Sequence, residues 1–157
     1  MLSRFTAALT STAAVVVLAP AVAHAAPAPG DEATARRIAC QEYAVGAATL
    51  DYRTPAVWRA NVVRGTSPEL RTKIESSSGA LEQVQQDLKW VANARLSGAE
   101  VRPIGGDVWA ARCFVAIHST TVKSPQGIGS VAVYNITLDK KRNWLITDVT
   151  GDDTGRR

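Results

Sequence analysis

Residues 107–123 constrain the fold more than any other stretch, because their apolar side chains alternate as they do in a half-buried β-strand. Successive side chains of a strand point to opposite faces of the sheet. One of the two faces is uncharged and is predicted to be the core face: Trp109, Ala111, Cys113, Val115 and Ile117. The other face carries Arg112 and His118, so it is predicted to meet solvent.

The first 25 residues have the pattern of a secretory signal peptide. Arg4 gives a positive start, an apolar run covers residues 7–22, and Ala23-His24-Ala25 has the small-x-small spacing that signal peptidase reads. We therefore predict cleavage after Ala25. The alternative is an uncleaved membrane anchor, since the run approaches the roughly 20 residues that span a bilayer, although Pro20 argues against it.

The rest of the chain has the composition of one globular domain. Hydrophobic residues make up 46% of the sequence and charged residues 20%, which is typical of a protein with a packed core. Without Arg4 there are 17 basic and 14 acidic side chains, and the two signs are interleaved. A nucleic-acid-binding protein would carry a basic stripe, so we expect no nucleic-acid partner.

Cys40 and Cys113 are the two cysteines of the chain, and both follow the predicted signal. An even number of cysteines in an exported protein indicates a disulfide. In the loop-entropy description such a bridge would stabilise the fold by roughly 4 kcal/mol. Two separate buried thiols are the alternative.

An amphipathic helix is predicted after a flexible spacer, residues 26–30, which consists of small residues and prolines. Asp31 can cap the helix. Residues at steps of three and four then form one apolar stripe, which places Cys40 where it can reach a buried strand. The stripe comprises Cys40, Tyr43, Ala44, Ala47 and Leu50.

Two further helices are predicted before residue 90. Residues 54–55, Thr-Pro, suit an N-cap and a first helical position, and Val57, Trp58 and Val62 would form the buried side. Residues 66–69 have the spacing of a capping box with Thr66 as the N-cap. The Ser-Ser-Ser-Gly run at residues 76–79 predicts a kink or break in this third helix, because these residues are weak helix formers.

Beyond residue 90 the apolar positions alternate, and four antiparallel strands are predicted up to Val149, with a bulge at Gly98. Helices followed by an antiparallel meander indicate an α+β fold. We therefore predict that the N-terminal helices pack in the concave face of a curved four-stranded antiparallel sheet. The domain is predicted to span residues 31–150, and residues 151–157 to form a loose polar tail.

Two short motifs and the order of the elements carry a family resemblance. The motifs are Leu50-Asp51-Tyr52-Arg53-Thr54, after the first long helix, and Asn143-Trp144-Leu145-Ile146-Thr147-Asp148-Val149 in the last strand. Together with the helices up to Trp90 and the long hairpin, they resemble the mammalian cell entry (Mce)-associated proteins of actinobacteria over residues 32–150.

The resemblance implies a nuclear-transport-factor-two-like cone fold and an extracytoplasmic accessory protein of envelope transporters for lipids or sterols. It implies no catalytic residues. Two features depart from the family pattern. Family members usually keep an N-terminal membrane helix where this chain has a cleavable signal, and the Cys40 and Cys113 pair is not part of the pattern.

Few side chains in the predicted interior could bond a ligand or transfer a proton. The possible cavity-lining residues are Tyr43, Trp109, Tyr134 and Asp148. The two tyrosines could bond a ligand, or they could be core aromatics with satisfied hydroxyls. Asp148 shares a predicted face with Trp144 and is the acidic candidate for proton transfer, unless it bonds a neighbouring turn. We expect no catalytic residue, no metal site and no cofactor.

These observations rank three functions. The first is a non-enzymatic, exported envelope protein that acts by protein–protein contact, as an accessory or stabilising factor of a lipid transport system. The second is a module that binds a small apolar ligand, such as a lipid, in the cone cavity. The third is an enzyme of the cone-fold class.

Mass spectrometry of the secreted protein tests the two predictions made for the N-terminus and the cysteines. We expect a mature chain that begins at Ala26 and gains the mass of two hydrogens on reduction. A chain that keeps residues 1–25 would show that the apolar run is retained. An unchanged mass on reduction would show that the two thiols are separate.

Overall fold

The computed structural model describes residues 26–153, with side chains as far as Gly151. The predicted signal peptide with its cleavage site after Ala25, and residues 154–157 of the predicted tail, lie outside the described residues. The described chain forms a layer of helices on one curled antiparallel sheet, which is the predicted α+β class.

The helices precede the long strands in the chain. The first helical region, residues 31–48, consists of three consecutive segments: α1 (Asp31–Arg36), a π-helical segment (Arg37–Ala44) and α2 (Val45–Ala48). The next two helices are α3 (Pro55–Val62) and α4 (Pro68–Leu88). A 3₁₀ turn (Lys140–Arg142) lies between the last two strands.

The sheet contains five strands, where four were predicted. In sheet order they are β1 (Leu50–Asp51), β2 (Val91–Gly105), β3 (Val108–Thr121), β4 (Ser124–Asp139) and β5 (Leu145–Asp153). The missed strand, β1, is two residues long and exists because Leu50 and Asp51 pair with Ala92 and Val91. The last strand is longer than predicted, since residues 151–153 still pair with β4.

The predicted core face of β3 is confirmed. Trp109, Ala111, Cys113 and Val115 are at most 4% exposed, and they pack against the first helical region. The structure contains the Cys40–Cys113 disulfide, which joins the π-helical segment to β3 with a Cα–Cα distance of 5.2 Å. The covalent bridge therefore lies in the centre of the helix–sheet contact.

Within the described residues the strand pairing shifts at four places, and two of these shifts decide which side chains of β2 and β5 face the helices. The predicted bulge at Gly98 is confirmed, because the pairing of β2 with β3 shifts between Leu96 and Gly98. A Cβ atom at Gly98 would lie 3.4 Å from the ring of Phe114, which is an ordinary van der Waals distance. A second shift occurs where Leu138 pairs with Ile146 but Thr137 pairs with Asp148, which leaves Thr147 as an extra residue in β5.

The helix starts differ from the predictions in detail. Gly30, with a positive φ, occupies the N-cap position of α1, and Asp31 is the first helical residue. Asp31 does not cap the helix; its carboxylate instead accepts bonds from the backbone N–H of Ala28 and from Lys140 Nζ. Ser67, one residue after the predicted Thr66, caps α4 by accepting a bond from the N–H of Leu70.

The break predicted at residues 76–79 is absent, since α4 is helical from Pro68 to Leu88. The hydroxyls of Ser76, Ser77 and Ser78 all donate to carbonyls three or four residues earlier in the helix. The serine side chains therefore bond back onto the helix that contains them, and the helix continues through the run. Val57, predicted to be buried, is 59% exposed on α3.

The double substitution Cys40→Ala/Cys113→Ala is expected to lower the free energy of unfolding by about 2–5 kcal/mol, because the unfolded chain regains the freedom that the cross-link removes. Urea denaturation followed by circular dichroism measures the difference. The oxidised wild-type protein is the reference. Equal midpoints for the two proteins would show that packing alone holds the helix on the sheet.

Candidate functional site

The concave face of the sheet is filled by the first helical region. Ala35, Ala39, Cys40 and Ala44 of this region have no exposed surface, nor does Val115 of β3 opposite them. Small side chains let the helix backbone approach the sheet closely. The space in which a cone-shaped fold could hold a ligand is therefore occupied here by packed side chains.

The interior tyrosines are core aromatics. Tyr43 is 4% exposed and its hydroxyl donates to the carbonyl of Val62 at 3.0 Å. Burial, with a further contribution from Tyr134, raises the pKa of Tyr43 to about 12. Burial also raises the pKa of Tyr134, which is half-buried. Both hydroxyls therefore stay protonated at neutral pH, which does not suit a general base.

The interpretation of Asp148 as an interior acid is wrong. Its side chain is exposed and lines a groove of about 370 Å³ together with Arg112 and Asn135, on the face opposite the helices. The cause is the extra residue Thr147, because a shift of one residue moves a strand side chain to the other face. Asp148 thus no longer shares the face of Ile146.

Trp109 lies beside a cavity and not within an open cone. The cavity, about 500 Å³, lies between the spacer residues 26–28 and the turn that joins β2 to β3. Lys140 and Asp31 line it and form an ion pair with an Nζ–Oδ2 distance of 2.6 Å. The Trp109 ring packs against Trp144 at a centroid distance of 5.8 Å.

Four exposed apolar side chains belong to α4 and to the β3–β4 hairpin, two elements that a backbone hydrogen bond joins at their ends. The N–H of Val122, at the hairpin end, donates to the carbonyl of Leu88 at 2.9 Å. Ile128 is the partner of Ser119 and so shares the face of β3 that the helices cover. We call the following four residues the α4–hairpin surface, with their exposed fractions: Leu81 40%, Val84 44%, Val122 53% and Ile128 54%.

The sequence analysis missed this surface and a buried polar group beside it. The three–four spacing of Leu81 and Val84 indicates an apolar helix face, but spacing does not show whether anything covers that face. Gln85 is fully buried, and neither of its amide atoms has a hydrogen-bond partner within the described residues. No sequence signal marked Gln85, because glutamine at a helix position is usually exposed.

The described residues hold neither a grouped set of metal ligands nor a helix suited to a bilayer. Within residues 26–153, no three His, Cys, Asp or Glu side chains are grouped so that they could hold a metal ion. None of the helices in that range combines the length and the hydropathy that crossing a bilayer requires. His118 is exposed, as predicted for its face of β3.

Comparisons with known proteins reveal a shared fold. No family model and no curated protein matches the chain. An IcmL-like type IV secretion system protein from Legionella pneumophila subsp. pneumophila str. Philadelphia 1 is similar with a TM-score of 0.61 and 11% identity, over 85% of this chain and 98% of that one. A TrwG component of a type IV secretion system from Bartonella birtlesii gives a TM-score of 0.46 and 14% identity, over 74% and 89%. The first likeness shows that the curled sheet with its helices is an arrangement found in another protein.

The ion pair at the cavity gives a pH-dependent prediction. The hydrogen bond from Lys140 holds the pKa of Asp31 below its usual value of 3.8, and the N–H of Ala28 adds to this. A lowered folded-state pKa stabilises the fold above the unfolded-state value, and this contribution disappears as the pH falls through the folded-state pKa. Asp31→Asn should therefore lower the melting temperature at neutral pH and have a shrinking effect below about pH 4.

Thermal melts of wild type and Asp31→Asn, from neutral pH to below about pH 4, measure how the difference in melting temperature changes with pH. Asp107→Asn is the matched control, since Asp107 lines the same cavity and forms no ion pair within the described residues. A melting difference for Asp31→Asn that stays constant with pH would contradict the role assigned to the Asp31 carboxylate.

Proposed function

We propose that this protein is an exported, non-enzymatic component of the cell envelope that acts by contact with other proteins. More specifically, we propose an accessory or stabilising factor of an envelope lipid transport system, as the resemblance to Mce-associated proteins implies. The curled sheet closed over a helix also suits the nuclear-transport-factor-two-like cone that this resemblance implies.

The observation that carries the proposal is the contrast between interior and surface. The concave face is filled by alanines and the disulfide, whereas four large apolar side chains lie exposed on the α4–hairpin surface. Exposed apolar patches often mark sites of protein contact. A catalyst of the cone-fold class would instead need an Asp, Glu or His side chain on that concave face.

Two further observations support an envelope location. A disulfide between buried cysteines is typical of an extracytoplasmic protein. The IcmL-like protein that shares the fold is described as a type IV secretion system protein. A domain of this shape is thus compatible with work inside a multi-protein envelope assembly.

A second candidate function is binding of a small apolar ligand. The cavity beside Trp109 favours it, because about 500 Å³ lies within the range of ligand pockets. Its lining also includes Asp31, Asp107 and Lys140, so a ligand there would need a polar group as well as an apolar part.

The proposed function predicts specific co-isolation. The full chain, tagged at its C-terminus and cross-linked in intact cells, should enrich subunits of an envelope lipid transporter, identified by mass spectrometry. Deletion of its gene should lower the amounts of those subunits, as expected for a stabilising factor. An unrelated exported domain with the same tag is the control.

Two results would contradict the proposal. One is repeated isolation without any enriched transporter subunit. The other is a stoichiometric lipid in the organic extract of the purified protein, with unchanged transporter levels in the deletion strain. The second result would favour the ligand-binding candidate.

A further inference from the structure

We propose that the α4–hairpin surface binds an acidic amphipathic helix of a partner protein. The inference deepens the protein-contact function proposed above and rests on it. It assigns a place on the molecule and a chemical character to the partner.

The shape of the surface suits a helix. Ser77, Leu81, Val84 and Leu88 follow one another at steps of three and four along α4, so they form one stripe. At 1.5 Å per residue the stripe is about 16 Å long, or three helical turns. The hairpin end with Val122 flanks this stripe, because its backbone is bonded to Leu88. A helix laid along a strip of this kind is a recurrent mode of peptide recognition.

A partner that covers the stripe would leave few polar groups without a hydrogen-bond partner. The hydroxyls of Ser76, Ser77 and Ser78 already donate to backbone carbonyls of α4, at distances of 2.8 to 3.3 Å. A buried donor without a partner costs about 1–3 kcal/mol, and these three hydroxyls are satisfied before any partner arrives. The serine donors therefore need no new hydrogen-bond partner when a helix covers them.

The charges around the surface favour carboxylates on the partner. Lys73 precedes the stripe, and Lys89 and Lys123 follow Leu88 and Val122. Within the described residues none of these lysines forms an ion pair, unlike Lys140. Residues 114–131, which include the hairpin end, contain no Asp or Glu. Complementary charge on the partner would set the orientation and raise the association rate.

An anionic membrane surface fits less well. Leu81 and Val84 are more than half covered by their own surroundings, so only Val122 and Ile128 of the α4–hairpin surface offer more than half of their side-chain surface to a bilayer. Asp87 also lies next to the stripe, where it accepts a bond from Gln83, and it would be repelled by anionic lipid. A protein helix can avoid that carboxylate by its own sequence.

Titration with a designed peptide tests the proposal. The probe is an acetylated peptide of about 15 residues with Leu at three–four spacing, Glu at the positions that flank one side of the Leu stripe, and Ala or Gln elsewhere, which is long enough to reach partial helicity. We expect amide chemical-shift changes at residues 77–88 and 122–128 of the ¹⁵N-labelled full chain. Val84→Lys should weaken binding about ten-fold or more, or by at least 1.4 kcal/mol. Val57→Lys, at a similarly exposed valine on α3, should change it less than about two-fold.

Control experiments distinguish an acidic helix from other occupants of the surface. The same peptide with Lys in place of Glu should bind at least about ten-fold more weakly. Val84→Ser provides a milder variant if Val84→Lys fails to fold by circular dichroism. The proposal is overturned if the shifts map elsewhere, if the lysine peptide binds as well, or if phosphatidylglycerol vesicles bind through Val84 while the acidic peptide does not. Self-association that Val84→Ser abolishes would also overturn it, by assigning the surface to a second copy.

The two proposals can fail separately. If transporter subunits co-isolate equally with wild type and Val84→Lys, the contact function stands and this location is wrong. If the acidic peptide binds as expected but no envelope protein co-isolates, the surface is real and the envelope function is wrong.

Discussion

The close approach of the first helical region to β3 is the contact on which the rest of the structure depends. Residues at that contact are small, and Ala35, Ala39 and Ala44 have no exposed surface. Because small side chains keep the helix axis near the sheet, Cys40 and Cys113 come within 5.2 Å between their Cα atoms and can be bridged. The strands on either side of β3 then curl around the first helical region. The concave face of the sheet is therefore covered by packed side chains.

The bulges decide which chemistry can occur on which face. The shift at Thr147 directs Ile146 and Val149 toward the helices and Asp148 away from them. Had the pairing continued without the extra residue, the carboxylate would have entered the apolar layer, where burial of a charge is costly. The result is an inner face with aromatic hydroxyls of raised pKa and an outer face that carries Arg112 and Asp148.

Local patterns in the sequence were sufficient for much of the fold. Alternation in residues 107–123 identified the core strand, and the export signal with two cysteines identified the bridge that the structure contains. The failures involve non-local information. Alternation cannot reveal the extra residue Thr147, and β1 exists only through its pairing with β2. Likewise, helical spacing indicates that the face of α4 around Leu81 is apolar. Whether another part of the chain buries that face is decided by the tertiary fold, which the spacing does not show.

The open middle of α4 is tolerated because its ends are fixed. Leu70 is 6% exposed near the N-terminus, where Ser67 caps the helix and its N–H bonds the carbonyl of Ile146. Near the C-terminus Gln85 is fully buried and Leu88 accepts the bond from Val122. The turns between these ends carry serines and half-exposed apolar side chains, together with Ile74, which packs on the core, and Glu82, which accepts a bond from Arg59. A helix held at both ends presents its middle in a fixed geometry, so a partner that covers Leu81 and Val84 would gain apolar burial without having to order the helix first.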